Sequence, residues 1–186
     1  MDVSRGRGVM AQITTPGVGS RAARWSPATP IPAPLRLHEA AVGADRVDYN
    51  HHLTEWAYLL ICGDNSDAFF RFFGVDEVYR GSGRSLYTAE THLHHLREVT
   101  LGQRLSVTLQ VLGMDAKRLH IAHEIFDDAG ELAAAAEQML LHVDTRARAV
   151  TPFPEEIAGR LRQIRAAHAA LPVPGYIGHV MRIPGR

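Results

Sequence analysis

With 186 residues, 46% of them hydrophobic and 22% charged, the chain is long enough to bury one sizeable core and too short for two. Lysine plus arginine and aspartate plus glutamate each number 20, so the broad basic field of a sequence-tolerant nucleic-acid binder is absent. The one cysteine, Cys62, excludes an internal disulfide, and no apolar run approaches the roughly 18 residues that span a bilayer. These features predict a cytoplasmic protein with neither nucleic acid nor membrane as partner, and the opening MDVSRGRGVMAQ lacks the apolar segment of a secretory signal.

Residues 1–34 carry Pro16, Pro27, Pro30, Pro32 and Pro34 among glycines and serines without apolar periodicity, which predicts a flexible arm. Alternation through Leu35, Leu37, Glu39 and Ala41 predicts a strand opening the folded domain, 35–171. Residues 53–73 read as one long helix. Trp56, Leu59, Leu60, Phe70 and Phe73 recur at three- and four-residue steps, Asn50 or Thr54 is placed to cap it, and Gly74 to end it. It is apolar almost all round, so burial on every side is expected.

Beyond the turn at Arg80, Gly81, Ser82 and Gly83, strand-like runs cover 86–97, 103–112, 118–127 and 131–145. Gly102, Gly113, Asp115, Asp127, Asp128 and Gly130 supply hairpin-turn chemistry between them. A four-strand antiparallel meander is the expectation. The run LAAAAEQMLL at 132–141 favours helix by intrinsic propensity, but the turn before it and the extended pattern after it favour strand. Pro154 at a first helical position, then Glu155 and Glu156, then Arg160, Arg162 and Arg165, predict a C-terminal helix to about 170 with a stripe of Ile157, Leu161, Ile164 and Leu171. The tail, 172–186, reads as irregular.

A strand, one long buried helix and a long antiparallel sheet is the order of an α+β hotdog domain, in which the sheet wraps the helix. Asp48-Tyr49-Asn50-His51-His52-Leu53 resembles the Asp-x-x-Gly-His-Val/Met stretch of the hydroxybenzoyl-CoA thioesterase-like hotdog family, with His51 where glycine is usual. The segments Tyr87-Thr88-Ala89-Glu90-Thr91-His92, His95-Leu96-Arg97-Glu98-Val99, Lys117-Arg118-Leu119-His120 and Glu137-Gln138-Met139-Leu140-Leu141-His142-Val143-Asp144 resemble the betainyl-CoA thioesterases of carnitine breakdown. The resemblance implies hydrolysis of an acyl-CoA, with CoA part of the substrate and no separate cofactor. A hotdog hydratase or dehydratase, and a non-catalytic module binding CoA esters or quaternary ammonium, are the competing readings.

The resemblance makes Asp48 the catalytic carboxylate, attacking the thioester carbonyl or deprotonating the water that does. Its position before a buried helix fits: free first-turn amides can receive an oxyanion, and the amides after His52, beginning with Leu53, are the expected donors. The alternative for Asp48 is a plain turn residue. His52 matches the family histidine, and Tyr49, Asn50 and His51 flank the substrate.

A betainyl group presents a trimethylammonium, which aromatic faces and a nearby carboxylate hold best. Trp56 and Tyr49, with Asp64 or Asp67, are the candidates, and Glu90 and His92 are second polar groups. Arg97, Lys117 and Arg118 are candidates for the CoA diphosphate. His92 and His94 share a strand face, but with His95, His120 and His123 they match no standard metal spacing, and no metal is expected. One sheet around one helix leaves edges and a face to cover, which predicts a homodimer or dimer of dimers.

Overall fold

The structure is a computed structural model that describes residues 23–183. In chain order it contains β1 (Leu35–Ala41), α1 (Glu55–Phe73), α2 (Glu77–Gly81), β2 (Arg84–His95), β3 (Arg104–Met114), β4 (Arg118–Phe126), β5 (Leu132–Asp144), β6 (Ala149–Val150) and α3 (Glu155–His168). All strand pairs are antiparallel, and the sheet order is β1-β3-β4-β5-β2, with β6 added to β5. Packed on the inner face of this sheet, α1 gives the hotdog arrangement that the sequence predicts.

The meander is correct for three strands only. Tight turns join β3 to β4 and β4 to β5, where Asp115 accepts from the Lys117 and Arg118 amides and Asp127 from those of Ala129 and Glu131. β2, however, pairs with β5 and not with β3. The reason lies in the 96–103 connection, whose backbone is spent on the loop entering α1: Leu53 N donates to Val99 O at 2.7 Å and Leu101 N to His51 O at 3.0 Å. A segment paired there cannot close a hairpin.

α1 starts at Glu55, two residues later than expected. Thr54 holds the capping position, but its hydroxyl donates to Arg46 O at 3.0 Å, and Asn50 makes no cap. Gly74 ends the helix at φ 103°, its amide donating to Phe70 O and Arg71 O, a left-handed geometry that only glycine adopts cheaply. The helix is not buried all round. Ala57, Tyr58, Ile61, Cys62, Phe69 and Phe73 face the core, whereas Trp56 (53% exposed), Leu59 and Leu60 form an outward stripe at i, i+3 and i+4.

The alanine run of β5 is a strand despite its helical propensity. Ala133, Ala134 and Ala136 are fully buried in a cluster with Ala57, Ile61 and Cys62 of α1, so short side chains let helix and sheet approach closely. At the other end of α1, Phe69 and Phe73 pack with Leu109, Leu119, Ile121 and the α3 residues Ile157, Leu161 and Ile164. Pro154 caps α3 rather than opening it, and His168 takes the last buried position in place of Leu171. His168 Nδ1 accepts from Val111 N at 2.9 Å, and its Nε2 donates to Pro32 O at 3.1 Å.

Three short elements escaped the sequence pattern: a 3-10 turn at Ala44–Arg46, β6, and α2, the last capped by Asp76 through the Val78 and Tyr79 amides. Residues 1–22 of the expected arm lie outside the described residues, but 23–34 are docked. Trp25 N donates to Phe72 O at 2.7 Å, and Trp25 and Ile31 pack on the core. Residues 172–183 form no regular element and lie along the sheet, Gln110 Nε2 donating to Pro172 O. Among the described residues no helix is long and apolar enough to cross a membrane.

Candidate active site

A short 3-10 turn, Ala44–Arg46, leads into the loop before α1. The loop is closed by a bridge between Val47 and Leu53, and Asp48 organises it from inside. Its Oδ1 accepts from the Asn50 amide at 2.8 Å and the His52 amide at 3.1 Å, while its own amide donates to His52 O at 2.9 Å. Oδ2 carries no hydrogen bond among the described residues. Asp48 is therefore a turn residue with one oxygen to spare, and the structural and chemical readings of it are compatible.

His51 stands at φ 63°, the left-handed region, where the family pattern carries glycine. The backbone keeps the geometry that glycine would give at low cost, and the histidine side chain is exposed.

The loop opens onto a cleft of about 530 Å³ lined by His52, Leu53, Glu55, Tyr58, His95, Leu96, Arg97, Glu98 and Val99. His52 Nε2 is 3.5 Å from the Glu98 carboxylate, and the Tyr58 and His95 rings meet edge to face at 4.8 Å. Burial pushes the Tyr58 hydroxyl above its ordinary value, and the Glu98 charge adds to the shift. Below it, burial pushes the Cys62 thiol up to about 12, so it is an inert core group and not a nucleophile.

Of the predicted site residues, the cleft gathers His52, Leu53 and Arg97, and Asp48 is joined to it through the His52 amide. The Leu53 amide is not an oxyanion donor, because it is committed to Val99 O. The amides left without an intrahelical acceptor are those of Glu55 and Trp56 in the first turn of α1. Tyr49 is 91% exposed and Trp56 half exposed, so they form no closed cage within one chain, and Asn50 is exposed with them.

Asp64 and Asp67 do not reach the cleft. Asp64 is buried toward His38 and Arg46, and burial raises its carboxyl pKa. Asp67 is held by Arg71 Nε at 2.6 Å and Arg80 Nη1 at 3.2 Å.

Glu90 and His92 are also misplaced by the sequence reading. Leu93 and His95 point to α1, so by strand alternation His92 and His94 point to the outer face, where Glu90 and His92 line a different cavity with His120, Glu137 and His179. Arg97, paired with Glu131 at 3.0 Å, is at the cleft end of the sheet. Arg118 pairs with Leu141 on β5, whereas His95 pairs with Ala134, which separates Lys117 and Arg118 from the cleft by ~23 Å of strand. One diphosphate cannot meet all three cations.

Sequence reasoning missed Glu55, Tyr58, His95 and Glu98 as lining groups. The parity of β2 was the available signal: His95, odd like Leu93, belongs to the inner face. It also missed a polar network under α1. Asn65 Nδ2 donates to His123 Nδ1 at 2.9 Å, leaving His123 Nε2 to donate to Gln138 Oε1 at 3.1 Å, and Gln138 Nε2 donates to Thr91 Oγ1. Complete burial pulls the His123 pKa down to about 4, so the ring is neutral and serves as a connector.

Comparison with known proteins fits this geometry. Residues 42–161 match the family pattern of the thioesterase-like superfamily, which takes in the loop, the cleft, every strand of the sheet after β1 and half of α3. The chain belongs to that superfamily. Among curated relatives of this thioesterase-like chain, an L-carnitine dehydrogenase/betainyl-CoA thioesterase of Rhizobium meliloti is 48% identical over 146 residues, 78% of the chain and 29% of the relative. The chain thus spans less than a third of that longer protein. A betainyl-CoA thioesterase of Pseudomonas aeruginosa is 42% identical over 152 residues, 81% of the chain and 96% of the relative. Among solved structures, a Staphylococcus aureus protein in complex with CoA superposes with a TM-score of 0.77 at 26% identity, covering 84% of the chain and 100% of that protein.

Proposed function

We propose that this chain hydrolyses acyl-CoA thioesters to the free acid and CoA, and that betainyl-CoA is its acyl substrate. The observation that carries the reading is the Pseudomonas aeruginosa relative, a betainyl-CoA thioesterase of almost the same extent as the matched region. Asp48 Oδ2 is the group for the chemistry. Either it attacks the thioester carbonyl carbon, the C–S bond breaks and a water then hydrolyses the acyl–Asp48 anhydride to the free acid, or it takes the proton of a water that attacks the carbonyl directly; in both routes one water is consumed and CoA leaves as the thiol with one of its protons. The Glu55 and Trp56 amides face the developing oxyanion, the role first expected of Leu53.

For a trimethylammonium headgroup, Glu55 and Glu98 at the cleft supply the negative charge that Asp64 and Asp67 do not, and the exposed face of Trp56 supplies the aromatic surface. The outward stripe of Trp56, Leu59 and Leu60 suits a homodimer or dimer of dimers, in which a second copy covers it. The whole would work in the cytoplasm.

A thiol-trapping assay over a panel of acyl-CoAs tests the proposal, with betainyl-CoA set against its neutral carbon isostere, tert-butylacetyl-CoA. Thiol release is expected, with a specificity constant for the cation roughly two- to thirtyfold higher, the range set by a cation over an aromatic face. Equal constants would remove the cation preference, and no thiol release from any acyl-CoA would remove hydrolysis itself.

A further inference from the structure

We propose that His92, His94 and His179 form a binding site for a divalent transition-metal ion of the zinc class, which fastens the C-terminal segment to the outer face of the sheet. Their candidate ligand atoms all lie within 4.8 Å of one another. Two come from alternate positions of β2, where the period of two aims both rings to one side, and their ring centroids are 4.3 Å apart. The third arrives from 87 residues further along the chain, and its ring centroid is 5.9 Å from His92 and 5.6 Å from His94.

The segment carrying His179 is anchored independently of any ion. Gly178 N donates to Glu137 Oε2 at 2.7 Å, His179 N to Tyr176 O at 3.2 Å, and the Tyr176 ring stands 5.6 Å from that of His94. The second, separate observation is an unmet need. His94 Nε2 is buried and has no hydrogen-bond partner among the described residues, an arrangement that costs free energy. An ion among the three rings gives that imidazole a partner.

Three neutral nitrogen donors with no thiolate suit zinc, cobalt or nickel rather than magnesium or calcium, and leave a fourth position for water. Glu137 belongs to the layer behind, since its other oxygen is bonded to His120 Nε2 at 2.6 Å. The site is on the face of β2 opposite to His95 and the cleft, so it is independent of thioester hydrolysis and stands or falls separately.

The test is titration of the tag-free, chelator-stripped full chain with zinc and with cobalt, against His179→Ala. This variant loses an exposed side chain, so its folding is not at stake. The parent is expected to bind one ion per chain, to show the visible bands of four-coordinate cobalt, and to resist trypsin cleavage after Arg182 when zinc is present. His179→Ala should weaken binding by at least roughly tenfold, the smallest loss that even an outer-shell change usually produces, and abolish the protection. Absence of stoichiometric binding in the parent, or equal affinity in parent and variant, would overturn the proposal.

Discussion

His51 shows how a single residue can carry a fold requirement against its own preference. The loop needs a left-handed backbone between Asp48 and His52, and histidine supplies it at φ 63° with its side chain in solvent. Since nothing packs on that side chain, His51→Gly should raise stability, by up to about 1 kcal/mol after the greater chain entropy of glycine is set against the relieved strain. A lower denaturation midpoint in the variant would mean that the imidazole contributes something its exposure conceals. His123 yields a second expectation. Its folded pKa of about 4 is below the ordinary 6.5, so between these values the unfolded chain binds more protons and stability falls as pH falls. The loss is fully absent above about pH 6.5 and amounts to as much as ~3 kcal/mol by pH 4, at 1.36 kcal/mol per pH unit. Urea midpoints at pH 7 and pH 4.5 measure it, and the dependence should shrink in His123→Gln; a midpoint flat over that range would contradict the neutral buried ring. The spare glycine position was legible in the sequence, because the family pattern marks it. The commitment of the Leu53 amide to Val99 was not, since it depends on a connection 46 residues away.

At the scale of elements, periodicity found α1, β1 to β4 and α3, because each either alternates or repeats at helical steps over enough residues to register, while β5 was read from the turn before it and the extended pattern after it. It failed on partners. Nothing local in 84–95 says that β2 joins β5, and the choice follows from the 96–103 connection being spent on the α1 entry loop. It also failed on the exposed side of α1, where an apolar residue facing a solvent-side stripe looks the same as one facing the core. The alanine run of β5 was read as strand against its propensity, and its burial under α1 supplies the reason. Ala134→Leu should accordingly destabilise the chain by about 1–3 kcal/mol, because α1 has no room to retreat without disturbing Ile61 and Cys62. Chemical denaturation checks this; an unchanged midpoint would mean that helix and sheet are not in close contact at that point.

For the whole molecule, the cleft brings together His52, Glu55 and Glu98 from the entry loop, the first turn of α1 and the 96–103 connection, with Asp48 bonded to the His52 amide, while the predicted cations at 117 and 118 stand at the far end of the sheet. Of the residues that line the cleft, His52 and Leu53 were named from the loop motif and Arg97 from charge type, whereas Glu55 and Glu98, which the loop motif does not contain, were not. The outward stripe on α1 predicts a dimer or larger assembly by light scattering at micromolar concentration, and a monodisperse monomer would leave the exposed Leu59 and Leu60 unexplained. The central claim is that the spare oxygen of Asp48 does the chemistry, and Asp48→Asn isolates it. The amide keeps Oδ1 as acceptor for the Asn50 and His52 amides, so the loop survives, but the reactive carboxylate is gone. Thiol release from betainyl-CoA by the folded variant should fall by roughly a hundredfold or more relative to the parent, and a rate equal to the parent's would contradict the account.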